Sequence, residues 1–213
     1  MRLYLSSFRL GNKPEALLEM LKGSKRTALI GNAMDFVDEQ QRKVSMTSEV
    51  ERLKSIGLEP TEIDLRDYFG TTDDLRKVLG GFDLLWVRGG NSFILRRAFQ
   101  QSGADEIVKA LLADNAVVYG GYSAGTIMLC PSLHGIELVD PPNEVPEGYD
   151  NPIIWDCLNI IPYSIAPHYK SNHPESVDID KSVEYFEKNN MPYKALRDGQ
   201  VIVVDGSKEE ILR

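Results

Sequence analysis

Short apolar runs alternate along the first 120 residues with longer segments whose apolar residues recur at helical spacing. The apolar runs predict strands at residues 2–8, 27–32, 59–65, 82–87 and 116–119. The segments between them predict helices at residues 13–22, 38–56, 72–79, 93–102 and 104–114. Because strand and helix alternate, the connections should be right-handed crossovers. The pattern therefore predicts an α/β fold with a mostly parallel, doubly wound sheet.

Two of the predicted helices have faces that can be assigned from their spacing. In the helix at 38–56 we expect the buried side chains to be Val44, Met46, Val50, Leu53 and Ile56. A later polar helix, at residues 174–190, should turn Val177, Val183 and Phe186 inward.

The pattern changes after residue 130. Residues 133–152 are rich in proline and acidic side chains and form an excursion that can wall a pocket, or else a plain loop. A strand is predicted at residues 160–166, and it runs into Pro167-His168-Tyr169. Residues 194–197 and 201–204 should pair as a hairpin around Asp198-Gly199. We see no repeat or internal boundary, so residues 1–213 are predicted to form one domain.

Composition narrows the classes of function. The 213 residues carry a net charge of −8, which argues against a nucleic-acid or anionic-membrane partner. No apolar run is long enough for a membrane span, and the two cysteines form neither a disulfide framework nor a metal pattern. Nucleotide-binding glycine motifs are absent as well. We therefore expect a cytoplasmic protein with no cofactor and no metal.

The most informative stretch is residues 114–130, which join an apolar strand to an apolar helix. The turn between them is Gly121-Tyr122-Ser123-Ala124-Gly125, a G-x-S-x-G pattern. In a nucleophile elbow this pattern projects a serine hydroxyl from a sharp strand-to-helix turn whose neighbours must be small. The pattern predicts Ser123 as a nucleophile. The alternative is a tight turn with a helix-capping serine.

A nucleophilic serine needs a base, and the chain has three histidines, His134, His168 and His173. His168 directly follows a predicted strand, at the end of the sheet where working crevices lie, and is the candidate base. An acidic partner would orient the base. The candidates between the serine and His168 are Glu137 and Asp140.

Backbone N–H groups are expected to form the oxyanion hole of such a site. One is the N–H of Ala124, next to the serine, and the other comes from the Gly89-Gly90-Asn91 loop after the strand at 82–87. That loop can also be an ordinary strand-to-helix turn.

Four segments together resemble the peptidase E (aspartyl dipeptidase) family of serine peptidases. They are Val87-Arg88-Gly89-Gly90-Asn91-Ser92-Phe93, Gly121 to Pro131, Val139-Asp140-Pro141 and Ala166-Pro167-His168-Tyr169. Their order and spacing cover roughly residues 80–170. The resemblance implies a three-layer α/β/α sandwich of the class I glutamine amidotransferase-like (flavodoxin-like) type. It also implies that Ser123 and His168 act as nucleophile and base, that Gly90 and Ala124 supply the oxyanion N–H groups, and that Glu137 is the acid, with Asp140 second.

The same resemblance implies a substrate with an N-terminal aspartate, held in the family by an arginine after the histidine. Residues 170–190 contain no arginine, and Lys170 and Lys181 are the nearby cations. Asn91 and Lys181 are therefore the candidate substrate-binding residues. The expected function is a serine peptidase that hydrolyses dipeptides or short peptides through an acyl-enzyme, as a monomer or homodimer. The alternatives are an esterase-like acyl hydrolase and a non-catalytic binding module on the same fold.

Overall fold

A seven-stranded, mostly parallel sheet forms the centre of the computed structural model, which describes all 213 residues. Its order is β3-β2-β4-β5-β1-β8-β9, and β8 and β9 alone run antiparallel to their neighbours. A separate parallel pair joins β6 to β7. The strands are β1 (Arg2–Ser6), β2 (Arg26–Ile30), β3 (Glu59–Glu62), β4 (Leu84–Val87), β5 (Val118–Tyr122), β6 (Ser164–Ala166), β7 (Tyr193–Ala195), β8 (Val201–Asp205) and β9 (Lys208–Leu212).

Helices cover both faces of the sheet, so the predicted three-layer α/β/α sandwich is confirmed. They are α1 (Pro14–Leu21), α2 (Glu39–Ser55), α3 (Thr72–Leu79), α4 (Ser92–Ser102), α5 (Ala104–Ala113), the single turn α6 (Ala124–Ile127) and α7 (Ser176–Lys188). Alternate side chains of the strands point to opposite faces. Tyr4 and Trp86 pack with α1 and α2, whereas Leu5 and Val87 belong to the larger core that includes α3 to α7. No helix combines the length and the apolar character that crossing a bilayer requires.

The register of the sheet brings three loops together. Ser6 of β1 lies opposite Tyr122 of β5, and Val87 of β4 lies opposite Gly121. The chain segments that follow β1, β4 and β5 therefore leave the sheet side by side at its carboxyl edge. In open α/β sheets this edge is where ligands bind.

Two valines expected in the core lie on the surface instead. Val44 is 60% exposed and Val177 is 69% exposed, so both predictions were wrong. Val44 belongs to a face of α2 that lines a cleft described below. Val177 lies in the first turn of α7. The apolar buried residues of this helix are Ile179, Val183 and Phe186.

The predicted hairpin at 194–204 was also wrong. β7 pairs with β6 in parallel, with Ala166 opposite Ala195, whereas β8 inserts between β1 and β9. The hairpin of this region is β8–β9, with its turn at Gly206. This pairing carries the chain after β7 directly past the end of β6.

The proline-rich excursion packs behind the carboxyl edge rather than lining its main cleft. Arg97 donates to the carbonyl of Pro142 at 2.8 Å, and Tyr149 donates to Asp35 at 2.5 Å. Val139 and Asp140 line a small cavity of about 10 Å³ that also touches Ser123. The excursion thus supports the serine turn from behind.

Candidate active site

Ser123 lies in a strained turn directly after β5. Its φ of 49° and ψ of −121° fall in a region that L-residues seldom adopt. The carbonyl of Ser123 accepts hydrogen bonds from Thr126 and Ile127, so the strained residue is fixed to the turn of α6. Ser123 is 9% exposed and lines the main cleft. This is the backbone arrangement of a nucleophile elbow.

The two glycines of the G-x-S-x-G pattern are required by close packing against β4. A Cβ on Gly125 would lie 2.1 Å from the carbonyl oxygen of Val87, and one on Gly121 would lie 2.5 Å from the same atom. Real side chains do not tolerate such distances, so any larger residue would displace the turn from the sheet. The motif thus sets how close the Ser123 turn lies to β4.

The residues expected to supply the oxyanion N–H groups are Gly90, in the loop after β4 that lines the cleft, and Ala124, directly after Ser123. Gly90 has a φ of +147°, and its added Cβ would lie 2.3 Å from the carbonyl oxygen of Ala33, so only glycine fits. Ala124 is the first residue of α6, where backbone N–H groups have no partner within the helix. Because α6 is one turn long, we attribute any stabilisation of charge to these local N–H groups rather than to a long helix dipole.

His168 follows β6 and is almost fully buried, at 1% exposure. Its backbone N–H donates to the hydroxyl of Ser7 at 2.8 Å, which ties it to the end of β1. Its ring packs edge-on against Phe8, with centroids 5.6 Å apart. The ring lines the same cleft as Ser123.

Asp198 is the carboxylate that contacts His168. Its Oδ1 lies 2.7 Å from His168 Nδ1 and also accepts from the Ser7 hydroxyl at 2.9 Å. Burial by itself would raise the pKa of Asp198, but the hydrogen bonds and charge of His168 and the Ser7 hydroxyl hold that pKa below its usual range. An ionised carboxylate only accepts, so Nδ1 carries a hydrogen and Nε2 of the neutral ring is free to take a proton.

Neither acid expected from the sequence contacts His168 Nδ1. The carboxylate of Glu137 accepts from the backbone N–H of Gly135 at 2.6 Å, inside its own turn. Asp140 accepts from the backbone N–H of Ser92 at 2.8 Å, at the start of α4. Burial raises the pKa of Asp140 to about 7, although the bond from Ser92 opposes that rise. The structure therefore places Asp198 where Glu137 or Asp140 was expected.

The cleft that Ser123 lines has a volume of about 660 Å³, which suits a small ligand. One wall carries His168, His173 and Glu175, and another is the face of α2 that includes Val44 and Ser48. Ser123 and Gly90 also line this cleft.

Three side chains in this cleft could supply metal ligands. The ligand atoms of His168, His173 and Glu175 lie within 4.8 Å of one another. The two imidazole rings, however, stack face to face, with centroids 3.7 Å apart and planes at 9°. Because each nitrogen lone pair lies in its own ring plane, one ion cannot be aligned with both rings in this arrangement. The geometry favours a stacked pair over a shared metal.

The sequence of this chain matches that of a known protein family. A family model described as peptidase family S51 matches residues 6–212. The chain belongs to this family.

Curated relatives of this S51 chain carry peptidase names. Peptidase E of Streptomyces coelicolor is 32% identical over 155 residues, which cover 68% of this chain and 58% of that protein. A protein of Drosophila melanogaster named probable alpha-aspartyl dipeptidase is 27% identical over 147 residues, which cover 67% and 58%. The match therefore spans a little over half the length of these two relatives.

Two solved structures have a fold similar to that of this chain. A structure from Listeria monocytogenes EGD-e that carries the name peptidase E has a TM-score of 0.79 at 23% identity and covers 100% of this chain and 98% of its own. A peptidase from an acI-B1 Actinobacterium has a TM-score of 0.69 at 12% identity and covers 99% and 86%.

The two residues expected to bind substrate in this S51 chain are engaged elsewhere. Asn91 is 3% exposed, caps α4 by accepting from Phe93 and Ile94, and donates to the carbonyl of Pro141. Lys181 lies on the exposed face of α7 and pairs with Asp178. Neither lines the cleft.

Sequence reasoning missed Asp198 because its local context is that of a turn. Asp-Gly between two β-rich runs is a standard hairpin signal. The pairing of β6 with β7 joins segments about 30 residues apart, and no local sequence pattern predicts such a pairing. A search for carboxylates after His168, rather than only between Ser123 and His168, would have included it.

Proposed function

We propose that this chain is a serine peptidase that hydrolyses dipeptides or short peptides. In this proposal Ser123 is the nucleophile, His168 is the base and Asp198 orients His168. The backbone N–H groups of Gly90 and Ala124 stabilise the oxyanion.

The observation that carries the proposal is that a strained serine and a histidine held by a carboxylate line the same cleft. Backbone strain of this kind persists where the surrounding structure enforces it, and it concentrates at functional sites. The 2.7 Å contact between His168 and Asp198 fixes the tautomer in which Nε2 acts as a base. Peptides are the substrate class because the family is a peptidase family and the relatives are named peptidase E and aspartyl dipeptidase.

The chemistry proceeds in two halves. Ser123 Oγ attacks the scissile carbonyl carbon while its proton passes to His168 Nε2, and the carbonyl oxygen becomes an oxyanion facing the two N–H groups. His168 then gives that proton to the leaving amine as the C–N bond breaks, which leaves an acyl ester on Ser123. Water attacks the ester with His168 again as base. The acid product leaves, and the proton returns to Ser123.

The test begins with Ser123→Ala. We expect this variant to lose hydrolysis of a panel of Asp-Xaa, Glu-Xaa and neutral dipeptides, and to lose covalent labelling by a fluorophosphonate. Unchanged hydrolysis in Ser123→Ala would contradict the assignment of the nucleophile. If the wild-type chain cleaves short-chain esters but none of the dipeptides, the chain is an esterase-like hydrolase instead.

A matched pair of histidine variants tests the base. We expect His168→Ala to lower the rate of dipeptide hydrolysis by about 10³-fold or more. His134→Ala serves as the control, because His134 stacks on Trp155 outside the cleft. Equal losses in the two variants would contradict the role of His168.

A further inference from the structure

Arg88 is a half-buried arginine that lines the cleft directly after β4. Its Nη1 donates to the carbonyl of Gly89 at 2.7 Å, and its Nη2 donates to the hydroxyl of Ser45 on α2. Both acceptors are neutral. Its Nε is closed off from solvent and has no acceptor. The guanidinium is therefore held in place by its neighbours without being neutralised by them.

Arg88 differs in this respect from Arg52, which also lines the cleft. Arg52 is paired with Glu49, whose buried carboxylate also accepts from Trp86 and Tyr122. No carboxylate lies within ion-pair distance of Arg88. A positive charge that is partly removed from water without a counterion carries a desolvation cost that an anion in the cleft would offset.

Arg88 and the proposed nucleophile Ser123 line the same cleft. Gly89, which accepts from Arg88, packs directly on Ser123, since a Cβ added to Gly89 would lie 2.9 Å from Ser123 Cβ. An anion held by Arg88 would thus be part of the molecule that reacts at Ser123.

The wall that carries His168 also holds a negative charge, that of Glu175. Glu175 is 43% exposed and lies 3.9 Å from His168 and 4.0 Å from His173, with no lysine or arginine as a partner. Burial and the charge of His168 lower the pKa of His173, against the opposing effect of Glu175 and Asp198. Arg9 also lines the cleft without a carboxylate partner, but it is exposed and packs on Phe8. The cleft therefore offers one half-buried guanidinium without a counterion, that of Arg88, and one carboxylate without a permanent cation.

We propose that Arg88 is the specificity-determining residue that binds a carboxylate of the substrate, a role that rests on the peptidase activity proposed above. The carboxylate belongs either to an acidic side chain of the peptide or to the C-terminus of a dipeptide. The planar guanidinium suits both, because it can give two parallel N–H donors to one carboxylate. Glu175 faces the ammonium end of the same substrate.

Binding to an inactive chain separates this inference from the proposed activity. In the Ser123→Ala background we would measure dissociation constants by calorimetry for Asp-Leu, for Asn-Leu and for Asp-Leu-amide. Asn-Leu removes only the side-chain charge, and Asp-Leu-amide removes only the C-terminal charge. We expect Asp-Leu to bind about 10- to 100-fold more tightly than the analogue that lacks the recognised carboxylate.

The decisive variants are Arg88→Met and Arg88→Lys in the same background. In Arg88→Met, Asp-Leu and the analogue that lacks the recognised carboxylate should have about equal dissociation constants. Arg88→Lys should retain part of the preference for Asp-Leu, because a lysine keeps the charge without the two parallel N–H donors. Arg76→Met is the matched control, because Arg76 is exposed on α3, outside the cleft, and its loss changes net charge equally. Thermal unfolding of each variant verifies that it is folded.

Three results would overturn the inference. The preference for Asp-Leu over both analogues could persist in Arg88→Met, or the control Arg76→Met could lower that preference equally. Asp-Leu could also fail to bind Ser123→Ala at all. Failure of the proposed activity is seen separately, as a wild-type chain that binds Asp-Leu through Arg88 but hydrolyses no dipeptide.

Discussion

The two walls of the cleft differ in whether their polar groups have hydrogen-bond or ion-pair partners within the chain. On the His168 wall, the ring and its backbone N–H are held by Asp198 and Ser7, and the Asp198 backbone N–H donates to Ser171 at 2.8 Å. On the α2 wall, Val44 is exposed and Arg88 has no counterion. In the proposed reaction, the groups that move a proton are oriented before substrate arrives, whereas the groups proposed to recognise substrate are left available to it.

A large effect is expected from Gly90→Ala, which alters a loop that lines the cleft. The added Cβ would meet the carbonyl of Ala33 at 2.3 Å, so the loop must shift and carry its N–H away from the oxyanion. We expect kcat to fall about 100-fold or more. Gly23→Ala is the control, since Gly23 also has a positive φ but nothing within 4 Å of an added Cβ. Similar kcat losses in both variants would argue against an oxyanion role for Gly90.

Asp140→Asn tests the carboxylate that lines the small cavity beside Ser123. In the folded chain Asp140 stays protonated up to a pKa of about 7, whereas in the unfolded chain it ionises near its ordinary value of 3.8. The wild type should therefore lose stability relative to Asp140→Asn as pH rises from about 4 to about 7, by about 2 kcal/mol or more. Thermal unfolding of both proteins at several pH values measures the difference. A difference that does not change with pH would contradict the raised pKa.

Ser7→Ala removes one hydrogen-bond partner from the His168 wall. The variant loses the hydroxyl that donates to Asp198 and accepts from His168. We expect kcat to fall about tenfold with a smaller change in KM, because one hydrogen bond to a charged group orients the base. Ser102→Ala, a buried serine on α4 that donates to Ala98, is the control. A loss of stability without a change in kcat would show that Ser7 serves only folding.

A smaller effect is expected from a change on the α2 wall. Val44→Ser removes exposed apolar surface that lines the cleft without touching the proposed reacting groups. KM should rise about two- to threefold for substrates with apolar side chains, while kcat stays near the wild-type value. A fall in kcat at constant KM would mean that this wall also takes part in the chemistry.

The smallest effect is expected from Lys181→Ala. Lys181 lies on the surface of α7 in an exposed pair with Asp178, outside the cleft. Hydrolysis of Asp-Xaa dipeptides should change by less than about twofold, since an exposed pair contributes little. A large rise in KM would restore Lys181 to the substrate-binding role expected from the sequence.

What the sequence could predict depended on whether the signal lies within a short segment or between distant segments of the chain. The strand–helix alternation and the Gly121 to Gly125 turn are local, and the sheet and the strained Ser123 match them. Val44 was misplaced because spacing along a helix does not reveal that a hydrophobic residue faces a cleft rather than the core. Asp198 was missed because its approach to His168 depends on a three-residue parallel pairing, which short-range patterns do not encode.

The most direct test of the central claim compares Asp198→Asn with Glu137→Gln in one assay of dipeptide hydrolysis. Each change replaces a carboxylate with an amide of the same shape, but only Asp198 contacts His168 Nδ1. The account predicts that kcat/KM falls about 10³- to 10⁴-fold in Asp198→Asn and stays within about twofold of wild type in Glu137→Gln. A large loss in Glu137→Gln together with near-wild-type hydrolysis by Asp198→Asn would contradict it.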